Sequence, residues 1–245
     1  MKYFLVVVCA TLLSSSFGAN LPPAFIKCYR KQPDFQECLT KAVENAIRQM
    51  NHPFRRVGLL NLESLVIPEL TIAAGARVIS ALQIFKNMTL SGFNETKCAK
   101  VEFNFDNNTL KLDCIVPHFR LDFHYELHGQ IFLVSVYGNG AGWAVLQDSH
   151  FEVSYQLGEY ENKGKTYFNI INQQLSVQPR DIDFDLKNLF DGDEEAADRF
   201  KKMLKENALE VYGDVKSGYD EAFGIIFATI FDRLLTKVPV SKLFG

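Results

Sequence analysis

Apolar and polar positions follow two different periods along this chain, and the change of period divides it. Phe35, Cys38, Leu39, Ala42, Val43, Ala46 and Ile47 recur at the spacing of an amphipathic helix. Asp34 with Glu37 three positions on reads as a capping box, and His52-Pro53 stops the helix near Met50. Residues 54–77, broken by Gly58, Pro68 and Gly75, read as irregular. From Val78 the period is two. Val101, Phe103 and Phe105 alternate with polar residues, as do Phe119 to Leu127, Phe151 to Leu157, and Ile182 to Leu186. Such alternation predicts a sheet with one apolar and one wet face. Asn107-Asn108, Gly138-Asn139-Gly140 and Glu161-Asn162-Lys163-Gly164 read as hairpin turns. About eight strands without an intervening helix make the sheet antiparallel.

After the turn Asn188 to Asp193 the helical period returns and holds from Phe200 to Leu234, with Gly213 and Gly218 as candidate bends. About 40 residues at 1.5 Å each would span roughly 60 Å. Ala222 to Phe231 is apolar on nearly every side, so this half must be enclosed. It is shorter than the ~20 apolar residues that a bilayer span needs. A curved sheet rolled around one long helix satisfies both patterns. The expected fold class is therefore α+β, an elongated single domain.

Met1-Lys2, the apolar run Tyr3 to Leu13 and the small residues Ser14 to Ala19 have the layout of a signal peptide cleaved near Gly18 or Ala19. The division expected is signal peptide 1–19 and one domain over 20–245, secreted and extracellular. Losing Lys2 takes the formal charge from −3 to −4, which leaves no basic footprint for nucleic acid. Cys28, Cys38, Cys98 and Cys114 remain, an even count that allows two disulfides in three connectivities. The local pairs, Cys28–Cys38 and Cys98–Cys114, are favoured. A tight turn at Asn107-Asn108 would set Cys114 opposite Val101, so the second pair needs a bulge or a Cys98 placed ahead of the strand. The sequons at Asn87, Asn94 and Asn107 predict a glycosylated surface.

These features together resemble the insect takeout and juvenile-hormone-binding proteins. The likeness is carried by Phe25-Ile26-Lys27-Cys28 with Cys38 ten residues on, by Gly129 to Gly140, by Asn188 to Asp193, and by Val238-Pro239 to Leu243-Phe244. It covers nearly the whole chain beyond the leader. The resemblance implies a long helix wrapped by a strongly curved antiparallel sheet, with an elongated apolar tunnel carrying a small hydrophobic ligand. Juvenile hormone is the ligand of one branch, and no residue here marks that branch. Cys98 and Cys114 lie outside the family pattern.

Other chemistry is weakly signalled. His124, Glu126 and His128 share a strand face, but Arg120 and Asp122 in the same row mark it as wet. Asp181, Asp183 and Asp185 start like a calcium loop, yet Leu186 stands where glycine is needed and Gly192 where glutamate is needed. No catalytic residue, metal site or cofactor is expected, and an enzyme acting on a hydrophobic ester is the weakest reading. Twenty-one phenylalanines among 245 residues point to an aromatic interior. The tunnel walls expected are Phe123, Tyr125, Phe151, Val153, Tyr155, Phe168, Ile182, Phe184, Phe223, Ile226, Phe227 and Ile230. Tyr125, Tyr155 and Trp143 are the expected polar handles, each a donor on an apolar body. The function expected is a secreted carrier that sequesters a terpenoid, fatty acid or juvenile-hormone-like molecule, without stable membrane insertion. The alternative is a membrane- or receptor-docking protein without a stable ligand, its receptor unknown.

Overall fold

The structure, a computed structural model, describes residues 18–245; the expected leader lies almost entirely outside the described residues. The helical stripe near the N-terminus forms α1 (Phe35–Gln49). Strands β1 (Leu65–Ile72), β2 (Ile79–Ser91), β3 (Lys97–Asn104), β4 (Thr109–Ile131), β5 (Val134–Asn162), β6 (Lys165–Gln178) and β7 (Asp181–Leu186) follow. Helices α2 (Glu194–Glu206), α3 (Ala208–Leu235) and α4 (Val240–Leu243) close the chain. The strands make one seven-stranded antiparallel sheet in the order β1-β2-β4-β5-β6, with β3 on β4 and β7 on β5. The sheet is open.

Two strands set the length of the molecule. β4 runs 23 residues and β5 runs 29, paired from Thr109↔Gln156 to Ile131↔Val134. Their inward phase slips once. Leu110, Cys114 and Val116 are buried on even positions of β4, and Phe119, Leu121, Phe123 and Tyr125 on odd ones. The slip falls at Pro117, opposite Asp148 (φ 43°). A second slip, at Asn87 (φ 50°) in β2, shifts pairing between Lys86 and Thr89. Bulges of this kind bend a strand and increase its twist.

Several expectations are corrected. Residues 54–77 are not wholly irregular, because β1 lies within them. Asp34 begins α1 without a side-chain cap; its carboxylate accepts from Gln32 at 3.1 Å. Gly138-Asn139-Gly140 is no turn but lies within β5, near its start. A Cβ on Gly138 would stand 2.9 Å from the Asn188 carbonyl oxygen, and one on Gly140 2.5 Å from that of Lys187. The glycines thus let residues 187–189 pass over the strand. The turn lies instead at Phe132-Leu133, both with positive φ (49° and 66°).

The long C-terminal helix is two helices. It breaks at Asn207 (φ −124°), whose side-chain amide donates to the Met203 carbonyl at 2.8 Å and competes with the helical pattern. Gly213 and Gly218 stay within α3. The 28 residues of α3 are about 42 Å long. Enclosure of its apolar half is incomplete: Ile225 is 53% exposed, on a solvent face shared with Glu221 and Thr229, because the sheet does not close around it.

Both local disulfides form, Cys28–Cys38 and Cys98–Cys114. The turn before β4 takes four residues, Phe105 to Asn108, and a register shift between Cys98 and Lys100 brings Cys98 opposite Cys114. The bulge anticipated from the sequence is thus present.

Helices seal strand edges with side-chain hydrogen bonds. On α1, Gln36 exchanges two 3.0 Å bonds with the Phe103 backbone, Thr40 Oγ1 accepts from Val101 N–H at 3.0 Å, and Glu44 accepts from Cys98 N–H at 2.8 Å. On α3, Asp220 accepts from Val177 N–H at 3.0 Å and Asp232 from Ile170 N–H at 2.7 Å, both on β6. On α1 the spacing of four places the polar groups along one helix face; on both helices they occupy donors that an edge strand leaves bare.

Asp214 does the same for the β1–β2 connection. Its carboxylate accepts from the N–H groups of Ile79 (2.8 Å), Val78 (2.7 Å), Arg77 (3.0 Å) and Ala76 (3.2 Å). These bonds, Ile79 foremost, hold its pKa below the ordinary 3.8 against the opposing effect of burial. A lowered carboxylate pKa contributes stability that is present above the unfolded pKa and is lost as pH falls through the folded one. Asp214→Asn should therefore melt lower than the parent at neutral pH, with the gap closing below about pH 4. A gap unchanged down to pH 2 in thermal melts would show that the carboxylate charge plays no part.

Candidate functional site

The inward faces of the sheet and helices leave two apolar cavities. The larger, about 280 Å³, lies between α1, the N-terminal half of β4, the C-terminal half of β5 and the end of α3. The smaller, about 180 Å³, lies between β2, the C-terminal half of β4, β7 and the start of α3. The first helix roofs the larger one with Leu39, Val43 and Ile47, and Met50 just after it continues the row.

An aromatic cluster stands between them. Phe119, fully buried, lines neither cavity. Its ring lies 5.3 Å from Phe93 and 5.4 Å from Phe151, which line the larger cavity, and 5.6 Å from Phe223, which lines the smaller. The contacts with Phe151 and Phe223 are edge-to-face, the arrangement that aromatic quadrupoles favour. The interior is therefore two chambers with an aromatic septum.

The expected wall residues divide between these chambers. Phe151, Val153, Tyr155, Phe227 and Ile230 line the larger, and Phe123, Tyr125, Ile182, Phe184 and Phe223 the smaller. Two other wall residues and the handle Trp143 lie elsewhere. Phe168 is buried against Phe103 and Phe244, beyond the larger cavity. Ile226 packs on the core without lining either space. Trp143 is on the outer sheet face, where the Arg120 guanidinium lies 5.2 Å over its ring. Its phase on β5 is opposite to that of the inward Leu146.

Of the expected handles, Tyr125 is occupied: its hydroxyl donates to the Lys187 carbonyl at 2.7 Å, and burial, then Asp185, pushes its pKa up to about 12. Tyr155 lines the larger cavity, and no hydrogen-bond partner for its hydroxyl stands among the described residues. Burial raises its pKa, so it is a neutral donor at physiological pH. The site also includes residues that sequence reasoning missed: the α1 roof, and Gln83, Tyr212, Val215 and Tyr219 around the smaller cavity. Their signals were present, as the apolar stripe of α1 and the helical phase of Tyr212, Val215 and Tyr219.

The other acidic and histidine groups are surface features. Lys205 contacts Asp183 at 2.7 Å, and Lys201 and Lys187 contact Asp185 at 3.1 and 2.7 Å. Glu126, between His124 and His128, pairs with Lys86 at 2.6 Å. No group of three or more His, Cys, Asp or Glu side chains suited to a metal ion occurs among the described residues. None of the described helices is long and apolar enough to cross a membrane.

A curved sheet and helices enclosing two apolar chambers define a hydrophobic-ligand-binding architecture. The chain matches the family model "Haemolymph juvenile hormone binding protein (JHBP)" over residues 4–245, and it belongs to that family. The family is one of binding proteins, not enzymes. The fold is that of Takeout 1 from Epiphyas postvittana, with a TM-score of 0.80 and 18% identity over 90% of this chain and 99% of that one. A curated relative, the circadian clock-controlled protein daywake of Drosophila melanogaster, is 24% identical over 159 residues. That match takes in 64% of this chain and spans 58% of the relative's length.

Proposed function

We propose that this protein is a secreted carrier that sequesters a small hydrophobic molecule of terpenoid, fatty-acid or juvenile-hormone-like character. The observation that carries the reading is the pair of apolar chambers, one of them holding an uncommitted Tyr155 hydroxyl. Pockets of this kind are mostly apolar with a few polar groups that orient the ligand. Burial of the ligand's apolar surface supplies the driving force. For about 20 heavy atoms at roughly −0.3 to −0.6 kcal/mol each, binding reaches about −6 to −12 kcal/mol.

Export is supported by two disulfides, which persist in oxidising compartments. Glycosylation is supported by the exposure of Asn87, Asn94 and Asn107. The mature domain proposed is 20–245. A second reading, docking to a membrane or receptor, is favoured by the β4–β5 hairpin tip, where Leu133 is 89% exposed beside Val134 at 42%.

Native mass spectrometry of protein secreted from insect cells, followed by solvent extraction, tests the choice. The expected result is a discrete added mass that extraction releases. A clean unliganded mass, with no binding of terpenoids or fatty acids, would turn the assignment to the docking reading.

A further inference from the structure

The carbonyl-recognition site we infer lies in the smaller cavity, at Gln83 and Tyr219, and it selects apolar ligands that carry a hydrogen-bond acceptor such as an ester or ketone oxygen. The inference rests on the carrier reading and deepens it. Gln83 stands in the inward row of β2, in phase with Ile79, Ala81 and Phe85, which are all buried. An amide in such a row loses its water and needs partners. It has one: Tyr219 on α3 donates its hydroxyl to Gln83 Oε1 at 3.1 Å. The Nε2 atom is buried without a partner. Both residues line the cavity.

With Oε1 toward Tyr219, the amide N–H groups are unspent. With the amide reversed, Nε2 donates to the phenol oxygen and the tyrosine O–H is left over. Either arrangement leaves a donor. The other hydroxyls of this smaller cavity are committed, Tyr125 to the Lys187 carbonyl and Tyr212 to that of Val177 at 3.0 Å. Burial raises the Tyr219 pKa, which keeps its proton in place. Phe85 and Phe223 lie 6.3 and 5.8 Å from the Tyr219 ring and leave an apolar path for the rest of the ligand. A neutral carbonyl suits this donor, because a carboxylate would enter a chamber with no cation in its lining.

The test uses carbonyl-labelled methyl oleate and octadecene as the matched hydrocarbon. Both are bound to the full-length protein carrying Tyr155→Phe, so that the larger cavity keeps no uncommitted hydroxyl, the Thr96 hydroxyl being bonded to the Phe93 carbonyl. The infrared carbonyl band of the bound ester is expected at low frequency there and at higher frequency once Gln83→Leu and Tyr219→Phe are added together, because leucine alone would free the Tyr219 hydroxyl to donate. The ester Kd should rise roughly three- to tenfold, as for loss of one neutral hydrogen bond. Octadecene should bind both variants alike. Leucine nearly conserves the volume of Gln83, and Tyr219→Phe removes the hydroxyl that would lose its acceptor, so the melting temperature of the pair should hold or rise; Gln83→Met with Tyr219→Phe serves if the leucine pair does not fold. An ester band and affinity unchanged by either double substitution would overturn the inference and show the amide to be merely hydrated. Hydrocarbon binding without ester preference sinks this inference alone. If neither molecule binds the unmutated protein, the carrier reading fails with it.

Discussion

Phe119→Ala is expected to cost about 3–5 kcal/mol of stability. The ring is fully buried and touches aromatic neighbours from three directions, on β5, on α3 and on the short turn Phe93–Glu95. Truncation removes those contacts and leaves a void that rigid strands cannot fill. The melting temperature should fall on the order of 10 °C. The void would also join the two chambers, so the variant should accept longer chains than the parent. A ligand-length series and a denaturant titration check both parts. A loss under about 1 kcal/mol, with the length preference unchanged, would show that Phe119 is not the septum.

Cys28→Ser/Cys38→Ser comes second, with an expected loss of roughly 3 kcal/mol in the chain-entropy model. This disulfide ties the segment before α1 to α1, and α1 roofs the larger cavity. Ligand should therefore leave the larger cavity faster, while occupancy of the smaller one is unaffected. Stopped-flow dissociation of a fluorescent fatty acid measures the first effect, and denaturant unfolding measures the stability. Equal off-rates for parent and variant would mean that α1 does not control that exit.

Much of this could be read from the chain. The stripe of Phe35 to Ile47 specified α1, and the alternation of Phe119 to Leu127 specified an antiparallel strand with its buried face. What escaped was phase. A one-residue slip sends every later side chain to the other face. Pro117 and Asn87 carry such slips without a sequence mark as clear as glycine. Trp143 was placed inside because its aromaticity outweighed its position relative to Leu146. The glycines at 138 and 140 looked like a turn, although their purpose is to admit a crossing segment. The true turn uses Phe132 and Leu133, bulky residues that rarely adopt positive φ. Gln83 was legible in principle, since a polar residue in phase with Ile79, Ala81 and Phe85 breaks the row. Asn207 ended a helix that two glycines left intact, because a side chain can compete for a backbone carbonyl where flexibility alone does nothing.

The ladder of Gln36, Thr40 and Glu44 along β3 also bears on how long a ligand stays. Any opening of the larger chamber at α1 must break these bonds together, and it strips Cys98, Val101 and Phe103 of their partners. The opened form is then a template for strand addition by another chain, sticky and short-lived. Residence time is set at the polar rim of the chamber, whereas affinity is set by its apolar walls. Two carriers with identical walls could thus hold the same molecule equally tightly and release it at very different rates.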